Sequence, residues 1–150
     1  MNTILAYSGV VLAAALAGVG SAVGVGMVGR SAAGVLSVDP KKFGKLLLLV
    51  ALPGTQGVYG FVIGFLLLGR VQAADLAAAT GSVFAWKAFL AGLPVATTGF
   101  LSAIAQAQVC VSGVSLASKQ PTAAAQGLIL AVFVEFYAIL GFLVSFLMLP

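Results

Sequence analysis

One carboxylate stands inside an apolar run. Glu135 lies in Phe133-Val134-Glu135-Phe136-Tyr137, and no basic residue occurs between Lys119 and Pro150. An acid at mid-bilayer costs a few kcal/mol and marks a functional site unless a neighbouring helix simply hydrogen-bonds it. Two other polar side chains fall at the same depth. Gln56 is 16 residues after Pro40, Gln106 is 15 before Pro121, and Glu135 is 14 after Pro121. At 1.5 Å per helical residue, all three sit roughly 21–24 Å from the prolines. Leu52, Thr55, Gln56 and Tyr59 follow the i, i+3, i+4, i+7 spacing and share one helix face. Pro53 removes a backbone donor and opens the helix beside them, which frees carbonyl oxygen near the same layer.

A carboxylate, two amide oxygens, a hydroxyl and a carbonyl form a cage of hard oxygens with one negative charge. A monovalent cation would fill it with no net charge, whereas a divalent ion would leave a positive charge in lipid. A proton carrier needs only the carboxyl and one partner. The two glutamines therefore favour Na⁺, with H⁺ as the alternative.

The elements that position these groups are transmembrane helices. Of 150 residues, 62% are hydrophobic and only 7% charged, against about a quarter charged in a soluble domain. The mean hydropathy of +1.22 makes lipid the solvent. Apolar runs cover Met1–Gly29 and on to about Ser37, Leu46–Gly69, Ser82–Ala117, and Ala125 to the end. They are separated by Asp39-Pro40-Lys41-Lys42, by Val71-Gln72-Ala73-Ala74-Asp75 with the alanine-rich stretch to Gly81, and by Ser118-Lys119-Gln120-Pro121. This is an all-α membrane protein of four transmembrane helices in two hairpins, residues 1–75 and 76–150. The first run has no basic segment before it and reads as a retained helix. The net charge of +4 does not signal nucleic acid, because the basic residues flank apolar runs. Arg30, Lys41, Lys42, Lys45 and Lys119 lie near the hairpin loops, and Arg70 and Lys87 near the connector. That asymmetry places the hairpin loops in the cytoplasm and both termini outside, with Trp86 as an interfacial anchor.

A gap-free offset of 81 pairs Pro40 with Pro121, Gly18 with Gly99, Ser21-Ala22 with Ser102-Ala103, Ser31 with Ser112, Gly60-Phe61 with Gly141-Phe142, and Phe65-Leu66 with Phe146-Leu147. The chain is a duplicated hairpin. Glu135 falls opposite Gly54, so only one copy carries the acid.

Two motifs have plainer readings. Gly24-Val25-Gly26-Met27-Val28-Gly29 spells a dinucleotide fingerprint, but no strand precedes it and no acid follows at the required distance. With Gly18 and Gly20 it is a small-residue face for close helix packing. Gly92, Ala96, Gly99, Ser102, Ala103 and Gly113 form its counterpart, so the first and third helices suit the inner wall of a narrow ring. Cys110 is the only cysteine and reads as a buried structural thiol.

The duplicated hairpin, Leu52-Pro53-Gly54-Thr55-Gln56-Gly57, Ile104-Ala105-Gln106 and Val134-Glu135-Phe136-Tyr137-Ala138-Ile139-Leu140-Gly141-Phe142 resemble the membrane-rotor proteolipid (the c or K subunit) of prokaryotic V-type ATPases, over essentially the whole chain. The likeness is greatest to sodium-coupled members. It implies a ring of identical, non-catalytic subunits in a prokaryotic plasma membrane, with a stator subunit supplying half-channels and an ion-displacing arginine. A central stalk would dock on the cytoplasmic loops, and ATP chemistry would lie on partner subunits. By the same resemblance Glu135 carries Na⁺, Thr55, Gln56 and Gln106 offer side-chain oxygens, Leu52 offers its backbone carbonyl, and Tyr59 locks the carboxylate. A four-helix drug or cation exporter with one membrane glutamate is the competing class; the 81-residue repeat and the glutamine layer argue against it.

Overall fold

The computed structural model describes residues 1–150 and is helical throughout, with no strands. Five α-helices build four spans: α1 (Asn2–Leu36), α2 (Phe43–Ala51), α3 (Thr55–Ala73), α4 (Gly81–Lys119) and α5 (Ala124–Leu147). The turn Leu52–Gly54 joins α2 to α3, so that the second span runs from Pro40 to Ala73. All four spans are long and apolar enough to cross a membrane. At 35 and 39 residues, α1 and α4 reach roughly 50–60 Å, well beyond a hydrocarbon core of about 30 Å, and project past it.

Both hairpins point the same way. At the loop end, Lys42 Nζ donates to the Ser118 carbonyl at 2.9 Å and lies 3.5 Å from Asp39, which clips one turn to the other. At the opposite end, Asn2 Nδ2 donates to the Leu76 carbonyl, and the Arg70 guanidinium to the carbonyl of Pro150.

The core is made of small residues. Lipid gives helices no hydrophobic reason to associate, so they gain by backbone approach and dispersion. The most extensive packing is between α1 and α4. Gly9 rests on the Ala88–Phe89 backbone, Gly20 on Phe100, and Gly60 of α3 on Ala13 and Ala17. Within the fingerprint-like string, Gly24 packs tightly, while Gly26 meets nothing within 4 Å. A Cβ on Gly18 would likewise meet nothing at that distance, although its backbone lies beside Gly57 of α3. Cys110 is fully buried in the apolar cluster with Leu46, Leu49 and Val114.

Pro94 lies inside α4, where its ring removes one backbone donor. A neighbouring helix serves the disturbed turn: Val95 N–H donates to Ser145 Oγ at 2.9 Å, while Thr98 Oγ1 bonds back to the Pro94 carbonyl at 2.7 Å. The sequence reading did not single out this proline.

Two glycines separate packing from propensity. A Cβ on Gly24 would lie 2.8 Å from Pro53 Cβ and 2.9 Å from the Ala103 carbonyl oxygen, both unable to yield easily. Gly24→Ala should lower stability by about 1–3 kcal/mol. Gly69→Ala adds a methyl where nothing lies within 4 Å and should raise it by about 0.5–1 kcal/mol. Thermal denaturation of the detergent-solubilised protein reads both, and equal shifts would contradict the packing account.

Candidate ion-binding site

The break at Pro53 organises the site. Pro53 has no N–H to offer, and Leu52–Gly54 tightens into a 3₁₀ turn. The Leu52 carbonyl accepts both the Thr55 N–H and, at 2.9 Å, the Thr55 hydroxyl. The helix is interrupted beside Pro53 as expected, but by tightening rather than opening, and the Leu52 carbonyl is occupied by two Thr55 donors instead of being free. The restarted helix α3 then has first-turn N–H groups without intrahelical partners. One of them, on Gly57, donates to Ser21 Oγ of α1 at 2.7 Å. Ser21 is therefore a supporting residue that the sequence reading saw only as part of a small face. Its polar type, repeated at Ser102, was the available signal.

From this turn a continuous polar chain crosses three spans. Thr55 Oγ1 is 3.4 Å from Gln56 Oε1, the weaker of its two contacts. Gln56 Nε2 donates to Gln106 Oε1 at 2.7 Å. Gln106 Nε2 in turn donates to Glu135 Oε2 at 3.1 Å and to the Ala131 carbonyl at 3.0 Å. Tyr59 OH closes the chain on the other carboxylate oxygen, Glu135 Oε1, at 2.7 Å. The structure thus brings together Leu52, Thr55, Gln56, Tyr59, Gln106 and Glu135. The Ala131 carbonyl is an additional participant that no sequence pattern announced.

Burial makes the arrangement consequential. Gln56 and Gln106 are fully buried and Glu135 is 7% exposed. Every buried side-chain polar atom has a partner. Yet Glu135 has no cationic partner in the chain, since the one ion pair is Lys42–Asp39 at the loop end. Both its oxygens act as acceptors, and Tyr59 is itself held by Phe142, ring centroids 5.6 Å apart. Gln106 Oε1 accepts one hydrogen bond here and keeps a second lone pair, as amide oxygens can. The lining is oxygen-rich and contains one formal charge.

A pair of packed helical hairpins enclosing a single buried acid defines a membrane proteolipid. The chain belongs to the ATP synthase C-subunit family, whose model matches it twice, over residues 8–67 and 89–148. The two matches are displaced by 81 residues, the offset read from the sequence. The V-type sodium ATPase subunit K of Enterococcus hirae is 44% identical over 145 residues, covering 97% of this chain and 90% of that protein. The A-type ATP synthase subunit K of Methanocaldococcus jannaschii is 36% identical over 146 residues, covering 97% of this chain and 62% of that protein. Like these subunits, the chain is a non-catalytic membrane component.

The Tyr59 hydroxyl holds the carboxylate inward. A hydrogen bond to a charged group contributes about 1.5–3 kcal/mol, so its loss should free Glu135 for reaction by about tenfold or more. Tyr59→Phe should accelerate modification of Glu135 by a hydrophobic carbodiimide to that extent, followed by mass spectrometry. An unchanged rate would mean that the hydroxyl does not restrain the acid.

Proposed function

We propose that the chain is the ion-carrying rotor subunit of a rotary V-type ATPase and that it transports Na⁺ at Glu135. The observation that carries the reading is the unbroken hydrogen-bonded chain from Leu52 through Thr55, Gln56 and Gln106 to Glu135, ending on a buried carboxylate that has no cation of its own. Holding an uncompensated charge in a low-dielectric slab is costly. A monovalent cation bound by Glu135 removes that charge. Gln56, Gln106 and Thr55 supply side-chain oxygens, the Leu52 carbonyl supplies a fifth, and Tyr59 holds the carboxylate in place. The sodium coupling named for the Enterococcus hirae relative supports Na⁺ as cargo.

The mechanism follows from neutralisation. Identical copies form a ring, each with duplicated units at 1–75 and 76–150. An ion entering through one half-channel of a stator subunit fills the site, and the neutral complex can then face lipid as the ring turns. At the second half-channel a stator arginine competes for Glu135, and the ion leaves. The turns around Pro40 and Pro121 face the cytoplasm and dock the central stalk, while both termini lie outside a prokaryotic plasma membrane. ATP hydrolysis or synthesis occurs on partner subunits.

Competition between Na⁺ and a carbodiimide tests this. The reagent attacks the protonated carboxyl, so a bound cation protects it. Millimolar Na⁺ at fixed pH should slow modification of Glu135 in purified membranes. Protection by raised pH alone, with no effect of Na⁺, would make the proton the cargo instead. Gln106→Ala should weaken Na⁺ protection about tenfold while the ring still assembles, since it removes one ligand and one hydrogen bond to the acid. Collapse of the ring would instead make Gln106 a structural link between spans.

A further inference from the structure

A groove at the loop end lies apart from the ion site. It runs between α2 and the start of α5 and has a volume of about 290 Å³. Leu49, buried, and Leu128, half-buried, form its floor, and Leu48, 58% exposed, stands at its rim. Gly44 and Ala125 hold the same position in the two hairpins, and their lack of bulk leaves the groove open. Lys45 is the one charged residue in the lining. Its counterpart in the second hairpin is Gln126, so the charge is not repeated.

Depth sorts these groups. Glu135 stands midway along α5, in one layer with Gln56. Lys45 precedes Gln56 by 11 residues, roughly 16 Å along the span. That is half of a hydrocarbon core about 30 Å thick, so the lysine reaches the level of lipid phosphates. Leu48 and Leu128 precede the same layer by 8 and 7 residues, roughly 10–12 Å, and lie at the depth of acyl chains. The groove therefore has a cation at its polar end and leucine below it. Lys45 also lacks an acidic partner. The one ion pair joins Lys42 to Asp39, and Lys41, Lys42, Lys45 and Lys119 outnumber that single acid at this end.

We propose that the groove holds an anionic phospholipid, its phosphate on Lys45 and one acyl chain against Leu48 and Leu128. This rests on the ring reading above, which turns α2 and α5 outward with α1 and α4 inside. A soluble anion would pair with the lysine but gain nothing from the leucines. A hydrocarbon chain alone would leave the ammonium group unpaired. A phospholipid separates charge from chain along the same axis as the groove. A net negative headgroup suits the excess of lysine, whereas a zwitterionic one brings its own cation towards it. The bound chain supplies the packing atoms that Gly44 and Ala125 omit.

Brominated lipids test this, because bromine on an acyl chain quenches tryptophan fluorescence only at close range. Trp86 is the one native tryptophan. In a Trp86→Phe background, Leu48→Trp reports from the rim of the groove and Leu140→Trp from an exposed, uncharged part of α5. The intact complex is reconstituted in phosphatidylcholine vesicles containing either dibrominated phosphatidylglycerol or dibrominated phosphatidylcholine. At Leu48 the anionic lipid should be preferred about fivefold, the effect of one lysine at the membrane surface. Lys45→Gln should abolish that preference, while Lys45→Arg and Lys87→Gln keep it, and at Leu140 neither lipid should be favoured. Ala125→Trp reports from the other wall if Leu48→Trp does not assemble. Equal quenching by the two lipids at the groove, or a preference that survives Lys45→Gln, overturns the lipid site and leaves the ring reading intact. Quenching at Leu140 but by neither lipid at the groove also overturns it, since the groove is then covered by protein. Quenching at neither position would instead remove the outward placement of α2 and α5, and with it the ring reading.

Discussion

A single buried acid without a cationic partner sets the terms for the rest of this molecule. Glu135 is 7% exposed and is bonded by two donors, neither of them cationic. Hydrogen bonds orient a carboxylate but do not cancel its charge, and in a medium of low dielectric the remaining field is expensive. The chain could have placed a lysine or arginine beside it, yet all seven lie outside this layer, near the ends of the spans. A fixed counter-ion would have made the site inert. Leaving it without one keeps the acid open to a mobile partner, which is the premise of the ion-carrying proposal.

Those oxygens come from different helices, so the backbone must bring three spans within the reach of short side chains. Glycine and alanine do this by removing bulk. Gly20 and Gly24 seat α1 on α4, while Gly60 seats α3 on α1. With larger residues there, Gln56 and Gln106 would not meet at 2.7 Å. The Pro53 break adds a second requirement, because a helix restarting in lipid exposes N–H groups that must be paired. Ser21 answers one of them, so the helix that lets α3 approach also repairs it.

The broad layout was legible because membrane helices announce themselves by length and composition, and because a repeat without gaps carries one hairpin's boundaries to the other. The polar layer was legible for a geometric reason: helices of constant rise, counted from aligned prolines, put Gln56, Gln106 and Glu135 at one depth. What stayed hidden depends on which way a side chain or backbone group turns. No spacing rule distinguishes Ser21, which caps a broken helix, from the small residues around it. The Ala131 carbonyl is invisible to any reading of residue types. Pro94 drew no reading from the sequence, and only packing reveals Ser145 of α5 as the acceptor for Val95. The glycines of α1 were read as one close-packing face, whereas a Cβ on Gly18 or Gly26 would enter open space.

Duplication explains why this site could become elaborate. In an unduplicated hairpin, the acid would share one helix with the counterparts of Thr55, Gln56 and Tyr59, each constraining the others. With two copies the tasks separate. The first hairpin holds Gly54 where the second holds Glu135, and is free to break at Pro53 and present Thr55, Gln56 and Tyr59. The second keeps an uninterrupted α5 and fills the matching positions with Phe136, Tyr137 and Leu140, all exposed to the surroundings. The finished site is therefore a composite of unlike halves, with the acid on one hairpin and most of its neutral polar companions on the other. Its cost is one charge for every four spans, so any assembly of such chains carries half the sites that its number of hairpins would allow.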